Sequence, residues 1–137
     1  MGKILTVATL KGGSGKSTFA ACLSVYWHLN GFKTVLIDAD PQSSVARIGE
    51  REEELGGLPV LTVSPRGLDD KIAKLAGEYD YVITDTAGFK NPATIAAISV
   101  ADHVLIPIKP SPLDSTLRAT LPLWCSKFQS RPAGARR

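Results

Sequence analysis

The sequence predicts a doubly wound α/β domain, with a mostly parallel sheet of about five strands and helices on both faces. Three observations lead to this fold class. Short apolar segments rich in β-branched residues alternate with helical patterns along the chain. The apolar segments lack strict polar alternation, which is typical of strands covered by helices on both faces. The connections between the segments are short, as in successive strand–helix–strand units.

Five segments carry the strand pattern, namely residues 3–9, 34–38, 58–63, 81–85 and 103–108. The clearest helical pattern covers residues 16–30 and ends at Gly31, where a C-terminal cap belongs. It places four residues on one helical face: Phe19, Cys22, Leu23 and Tyr26. Weaker patterns predict helices over residues 43–54, 67–77, 91–100 and 115–128.

The length and composition fit one globular domain over residues 1–128, followed by a basic, disordered tail over 129–137. The chain has 137 residues, of which 44% are hydrophobic and 21% charged, so extensive disorder is not expected. The net charge of +3 comes from residues 126–137, which hold four basic residues and no acidic one. The rest of the chain holds 12 basic and 13 acidic residues. Such a tail can touch phosphate backbones without sequence specificity, although a solvated end is the simpler interpretation.

The cellular location follows from what the sequence lacks. No segment is apolar and long enough to cross a membrane, and the N-terminus has no signal-peptide pattern. Cys22 and Cys125 are far apart in the sequence and lack metal-binding spacing. We therefore expect a cytoplasmic protein whose two cysteines are reduced thiols in the core.

The stretch VATLKGGSGKST at residues 7–18 has the position and composition of a phosphate-binding loop. It follows the first predicted strand and opens the first predicted helix. Gly12, Gly13 and Gly15 allow the backbone to turn its N–H groups around a phosphate. The N-terminus of the helix adds partial positive charge at the same point. Ser14, which lies between these glycines, is expected to contact the nucleotide with them.

The residues after the glycines supply a cation and a metal ligand. Lys16 is expected to reach the β- and γ-phosphates, and the hydroxyl group of Ser17 to coordinate Mg²⁺. Thr18 is expected to bond the α-phosphate. Glycine-rich turns between a strand and a helix also occur without ligands, but KST directly after the three glycines favours phosphate binding.

Three aspartates follow predicted strands. Asp38 and Asp40 come at the end of the second strand, and Asp85 ends the fourth, three residues before Gly88. Because ligands of doubly wound sheets bind at the carboxyl ends of the strands, we expect these carboxylates beside the phosphate loop. One such carboxylate can hold the hydration shell of Mg²⁺, and another can orient an attacking water. An isolated aspartate at this position is often only a helix cap, and Asp80, which precedes its strand, is expected to face solvent without a chemical role.

These motifs resemble those of one family. KGGSGKST is similar to the deviant Walker A motif of the ParA/MinD superfamily, IDADPQ to its second motif and ITDTAG to its Walker B motif. IPIKPSPLD is similar to a segment of the small plasmid-partition ParA proteins, and the resemblance runs from about residue 3 to residue 117. It implies a P-loop NTPase fold in which strand 1 is central and strand 5 lies beside it.

The resemblance also implies a function. It is that of a weak ATPase with ATP and Mg²⁺ as cofactors, which forms an ATP-dependent homodimer and hydrolyses ATP to ADP. Such a protein binds DNA non-specifically at the nucleoid, takes part in plasmid or chromosome segregation and is stimulated by a centromere-binding adaptor protein. No membrane partner is implied, because SRPAGARR near the C-terminus is not an amphipathic helix.

The role of each site residue follows from the resemblance. Leu10 stands where the ordinary phosphate loop has glycine, and the deviant loop does not require one. Lys11 resembles the signature lysine that reaches the partner's ATP across the dimer, as an arginine finger supplied in trans does. Asp40 resembles the carboxylate that positions the hydrolytic water. Asp38 resembles a group that supports the metal, and Asp85 the Walker B carboxylate that holds Mg²⁺ through water.

The expected site therefore has two parts. The catalytic residues are Lys11, Lys16 and Asp40. The metal-binding residues are Ser17, Asp38 and Asp85.

Other functions stay open at the level of sequence. One is a truncated nucleotide-binding fragment without significant ATPase activity, and another is a related P-loop synthetase, which the DPQ and PSPLD segments disfavour. We also expect the chain to be truncated relative to its family, which would leave strand 103–108 as an exposed edge and weaken DNA binding. The choice of ATP over GTP comes from the resemblance, since no adenine-reading motif is visible.

Overall fold

The strands and helices follow the predicted alternation. The computed structural model describes residues 1–9, 16–40 and 55–107. The strands are β1 (Lys3–Thr9), β2 (Thr34–Asp38), β3 (Val60–Thr62), β4 (Tyr81–Gly88) and β5 (His103–Leu105). The helices are α1 (Lys16–Leu29), α2 (Leu68–Ala76) and α3 (Pro92–Val100). The helices predicted over 43–54 and 115–128, and the tail over 129–137, lie outside the described residues.

The five strands form one sheet in the order β3-β2-β4-β1-β5, and every neighbouring pair is parallel. This confirms the predicted doubly wound fold class and the predicted position of β5 beside β1. The element boundaries differ in detail, since β3 is shorter than the predicted 58–63 and β4 extends past Asp85 to Gly88. Within the described residues, β5 is an edge strand, and Val104 in it is 36% exposed.

The two faces of the sheet are covered by different helices. The chain crosses the sheet in one direction from β1 to β2, and in the other from β3 to β4 and from β4 to β5. Right-handed crossovers therefore place α1 on one face and both α2 and α3 on the other. On the α1 face, Leu5, Leu36 and Ile83 pack with the helix. On the opposite face, the buried side chains of the strands pack against residues of α2 and α3 such as Ile72 and Ala97.

The orientation of α1 corrects the interpretation of its sequence. The predicted apolar face is mostly exposed: Phe19 is 43% and Tyr26 63% exposed, and Cys22 is exposed as well. The face that packs on the sheet carries the small residues Ala20, Ala21 and Ser24. Small side chains let a helix lie close to a sheet, and the hydroxyl group of Ser24 is satisfied by donating to the carbonyl of Ala20 at 2.7 Å. The expectation that Cys22 is a core thiol is therefore wrong, and Cys125 lies outside the described residues.

Asp80 faces solvent, as predicted, and its Oδ2 accepts a hydrogen bond from the backbone N–H of Lys33 at 2.9 Å. Trp27 of α1 packs against the sheet by stacking on Tyr81, with ring centroids 4.0 Å apart. No helix in the described ranges is both long and apolar enough to span a membrane.

Candidate carboxylate and phosphate-loop site

Two buried aspartates lie side by side at the carboxyl edge of the sheet. Asp38, the last residue of β2, is in register with Asp85 of β4. Their side chains point to the α1 face, because Leu36 and Ile83, two residues earlier on each strand, pack there. Asp38 is 1% and Asp85 0% exposed. The predicted convergence of these two metal-binding candidates is therefore what the structure shows.

The tip of β2 is held by hydrogen bonds to both neighbouring strands. The backbone N–H of Ala39 donates to the carbonyl of Asp85 at 2.8 Å, and that of Val63 donates to the carbonyl of Asp38 at 3.3 Å. Oδ1 of Asp38 also accepts from the backbone N–H of Asp40 at 3.1 Å, as in an Asx turn. Asp40 is thereby placed immediately beyond the buried pair, and it is half-buried.

The residues on either side of the predicted phosphate loop lie at this same edge. β1 ends at Thr9 and α1 begins at Lys16, and α1 returns toward the start of β2, so its N-terminus lies at the carboxyl edge of the strands. The partial positive charge of a helix N-terminus is therefore on the side where the aspartates lie. Lys16, Ser17 and Thr18 form the first turn of α1. The other predicted loop residues, Lys11, Gly12, Gly13, Ser14 and Gly15, lie outside the described residues.

The exit from β4 contains hydroxyl contacts that the sequence did not reveal. Oγ1 of Thr86 donates to the carbonyl of Val7 at 3.0 Å, which ties β4 to β1 next to the loop. Oγ1 of Thr94 lies 3.0 Å from the carbonyl oxygen of Gly88 and 3.2 Å from that of Ala87. No sequence pattern predicts such contacts, because the tertiary fold determines which carbonyl group lies near a threonine hydroxyl.

The start of α3 could have been predicted from a capping pattern in the sequence. Asn91 caps the helix by accepting from the N–H of Ala93 at 2.9 Å, and Pro92 follows at the first helical position. The sequence Asn-Pro before an apolar run is typical of a helix start. The cap fixes where the chain turns after β4, and so it helps to place the end of that strand at the site.

The donor set fits magnesium bound together with a phosphate ligand. Asp38 and Asp85 offer oxygen atoms, which are the ligands that Mg²⁺ prefers. Within residues 1–9, 16–40 and 55–107, no cluster of three or more His, Cys, Asp and Glu residues could hold a metal ion. Mg²⁺ commonly binds through one or two carboxylates, with waters and substrate phosphates completing its shell. The arrangement therefore suits a metal that arrives with a nucleotide.

Comparison with protein families identifies a nucleotide-binding domain in this chain. Residues 5–118 match the family model CbiA, described as the CobQ/CobB/MinD/ParA nucleotide binding domain. Protein ParA of Rhizobium radiobacter is 36% identical over 123 residues, which cover 85% of this chain and 53% of that protein. The chain spans about half the length of the curated relatives it matches.

Solved structures share the fold. The pNOB8 ParA bound to nonspecific DNA aligns with a TM-score of 0.74 and 20% identity, covering 100% of this chain and 64% of that one. Cobyrinic acid a,c-diamide synthase from Mycobacterium smegmatis, with a bound ATP analogue and magnesium, aligns with a TM-score of 0.70 and 21% identity. That alignment covers 91% of this chain and 67% of the synthase. At such identities the likeness establishes the fold alone.

Proposed function

Because the chain belongs to the CobQ/CobB/MinD/ParA family of nucleotide-binding domains, we propose that it is a ParA-like partition ATPase that binds Mg-ATP and hydrolyses it slowly. The observation that carries the proposal is the buried, in-register pair Asp38 and Asp85 at the edge where α1 begins. The similarity to Protein ParA of Rhizobium radiobacter favours partition over other activities of the family.

Binding of the nucleotide depends on the loop and the first turn of α1. The backbone of Gly12, Gly13, Ser14 and Gly15 surrounds the phosphates, while Lys16 neutralises the β- and γ-phosphates. Ser17 and Asp85 would hold the magnesium ion, Asp85 through water, and Asp38 would support them from the neighbouring strand. Thr18 bonds the α-phosphate. When bound, Mg²⁺ would supply positive charge that offsets the charge on the phosphate oxygens.

Hydrolysis uses positioning and charge stabilisation rather than a covalent intermediate. Asp40, at the rim beside the buried pair, orients a water molecule toward the γ-phosphorus and accepts its proton. The water oxygen forms a bond to the γ-phosphorus while the bond between the γ-phosphorus and the bridging oxygen breaks, so that ADP and inorganic phosphate leave. Asp40 is suited to this role because it is half-buried, whereas the side chains of Asp38 and Asp85 are fully buried in the sheet.

The dimer completes the site. Lys11 reaches the nucleotide of a second copy and stabilises the charge that develops during hydrolysis, which makes dimerisation and turnover one switch. The dimer binds DNA non-specifically in the cytoplasm at the nucleoid and segregates plasmids or chromosomes with a centromere-binding adaptor protein. The structure of pNOB8 ParA on nonspecific DNA supports this step by likeness of fold.

The experiment that tests the proposal combines nucleotide titration with light scattering after size exclusion. The wild-type chain is expected to bind Mg-ATP, to dimerise with it and to release phosphate slowly in the presence of DNA. Lys16→Ala is expected to lose nucleotide binding, because it removes the cation that contacts the β- and γ-phosphates. Unchanged Mg-ATP affinity in this variant would contradict the proposal. Binding without phosphate release would instead favour a nucleotide-binding domain that lacks significant ATPase activity.

A further inference from the structure

A buried hydroxyl group ties the end of β4 to the first turn of α3. Thr94 is 0% exposed, and its Oγ1 lies 3.0 Å from the carbonyl oxygen of Gly88 and 3.2 Å from that of Ala87. The Gly88 carbonyl also accepts from the backbone N–H of Asn91 at 2.9 Å. Donors from the segment that starts α3 therefore hold the carbonyl groups of Ala87 and Gly88, and Oγ1 of Thr86 also donates to the Ala87 carbonyl at 3.2 Å.

The Ala87–Gly88 segment lies beside the end of β1, after which the predicted phosphate loop begins. Gly88 is in register with Thr9, the last residue of β1 before that loop. Between Val7 and Thr9 the pairing shifts, so that β4 contributes one more residue than β1 between the paired positions. An irregularity of this kind redirects the strand, and it is common beside active sites. A glycine in such a strand allows a ligand to approach the backbone closely.

The position of Asp85 indicates which part of a nucleotide would come near. Asp85 is three residues before Gly88 on the same strand, and the proposed function assigns it to the magnesium ion. That ion bridges the β- and γ-phosphates in phosphoryl-transfer sites. The chain that continues from Asp85 is therefore nearer to the terminal phosphate than to the base or the sugar.

We propose that Thr94 is a positioning residue that holds the Ala87–Gly88 backbone in place to recognise the terminal phosphate, and that it thereby sets the preference for ATP over ADP. This inference rests on the proposed function. Thr94 would act indirectly, because its hydroxyl group holds the Ala87–Gly88 backbone rather than the nucleotide. ADP lacks the phosphate concerned, so its binding does not depend on Thr94.

Two other buried threonines provide matched controls. Oγ1 of Thr6 donates to the carbonyl of Ala97 at 3.2 Å, so it also ties α3 to the sheet, but at a point away from Gly88. Oγ1 of Thr84 is buried and has no hydrogen-bond partner among the residues that the structure describes. All three residues are 0% exposed. Of these three threonines, only Thr94 lies within hydrogen-bond distance of the Ala87 and Gly88 carbonyls.

The test measures affinity for ADP and for a non-hydrolysable ATP analogue, both with Mg²⁺, by isothermal titration calorimetry. Thr94→Val keeps the shape of the side chain and removes its donor. It is expected to lower the ratio of ATP-analogue affinity to ADP affinity about three- to tenfold, which is the size of one neutral hydrogen bond. Thr94→Ser retains the hydroxyl group and is expected to restore the wild-type ratio. Thr6→Val and Thr84→Val are expected to leave the ratio unchanged.

The outcomes separate this inference from the proposed function. A wild-type ratio in Thr94→Val would overturn the inference, and so would an equal loss in Thr6→Val, since loose docking of α3 would then be the cause. Unchanged ADP affinity in Thr94→Val shows that the variant is folded. If Thr94→Val fails to fold, Thr94→Cys has the same expected result, because a thiol is a weak donor. A wild-type chain that binds neither nucleotide would contradict the proposed function, and the inference would fall with it.

Discussion

Asp38 at the end of β2 lies directly beside Asp85 of β4, in register and on the same face of the sheet, with both side chains buried. The two strands are distant in sequence and become neighbours because β4 inserts between β2 and β1. Burying two adjacent carboxylates is unfavourable unless positive charge or hydrogen-bond donors face them. The backbone N–H of Asp40 is one such donor, 3.1 Å from Oδ1 of Asp38. Under the proposed function, a magnesium ion carried by the nucleotide would add positive charge at the same place.

Asp85→Asn should weaken Mg-ATP binding at least about tenfold, because it removes the charge that holds the hydrated metal ion. Titration of the nucleotide with and without Mg²⁺ measures the effect, and the loss should be confined to the magnesium-containing series. Asp70→Asn, on the exposed side of α2, is the matched control and should bind as the wild type does. Equal magnesium dependence in Asp85→Asn and the wild type would exclude Asp85 from the metal site.

Asp40→Ala should bind Mg-ATP with nearly wild-type affinity and lose turnover by about 10²-fold or more, because water activation is lost while the phosphate contacts remain. The expected product is an ATP-bound dimer that persists. Phosphate release and light scattering after size exclusion measure the two properties on the same sample. Wild-type turnover in this variant would assign the orientation of the water to another residue.

Lys11→Ala should leave nucleotide binding by the monomer intact and abolish the ATP-dependent dimer. Turnover should fall roughly 10³-fold or more, the lower end of the effect of an arginine finger supplied in trans. Sedimentation velocity with and without the ATP analogue measures the dimer. The corresponding control is Lys90→Ala, an exposed lysine after β4. Nucleotide-driven dimerisation that survives in Lys11→Ala would rule out the proposed trans contact.

Ala20→Leu should destabilise the fold by about 1–3 kcal/mol, because the buried face of α1 has no room for a larger side chain. Phe19→Leu, one residue earlier on the exposed face, should change the free energy of unfolding by about 0.5 kcal/mol or less. Urea denaturation followed by circular dichroism measures both. The reverse order of the two effects would show that α1 packs through the face suggested by its sequence.

Part of the candidate site could be predicted from the sequence. The strand pattern ended at Asp38 and Asp85, and the carboxyl ends of parallel strands meet at one edge, so their convergence could be predicted. Their direct pairing could not be derived from pattern alone, because it depends on the sheet order. The contacts of Thr94 with Ala87 and Gly88 were also not predictable, since a short hydroxyl side chain has no sequence-level preference among distant or nearby carbonyls.

The sequence by itself determined the strand–helix alternation, the parallel sheet and the residues near the carboxyl ends of the strands. These features follow from the local apolar patterns and from the turn and cap residues between them. Only the tertiary structure decided which face of α1 is buried. That helix has apolar side chains around most of its circumference, so its sequence pattern is compatible with more than one buried face. The sheet selected the stripe of Ala20, Ala21 and Ser24, because small side chains allow close approach and larger ones would hold the helix away.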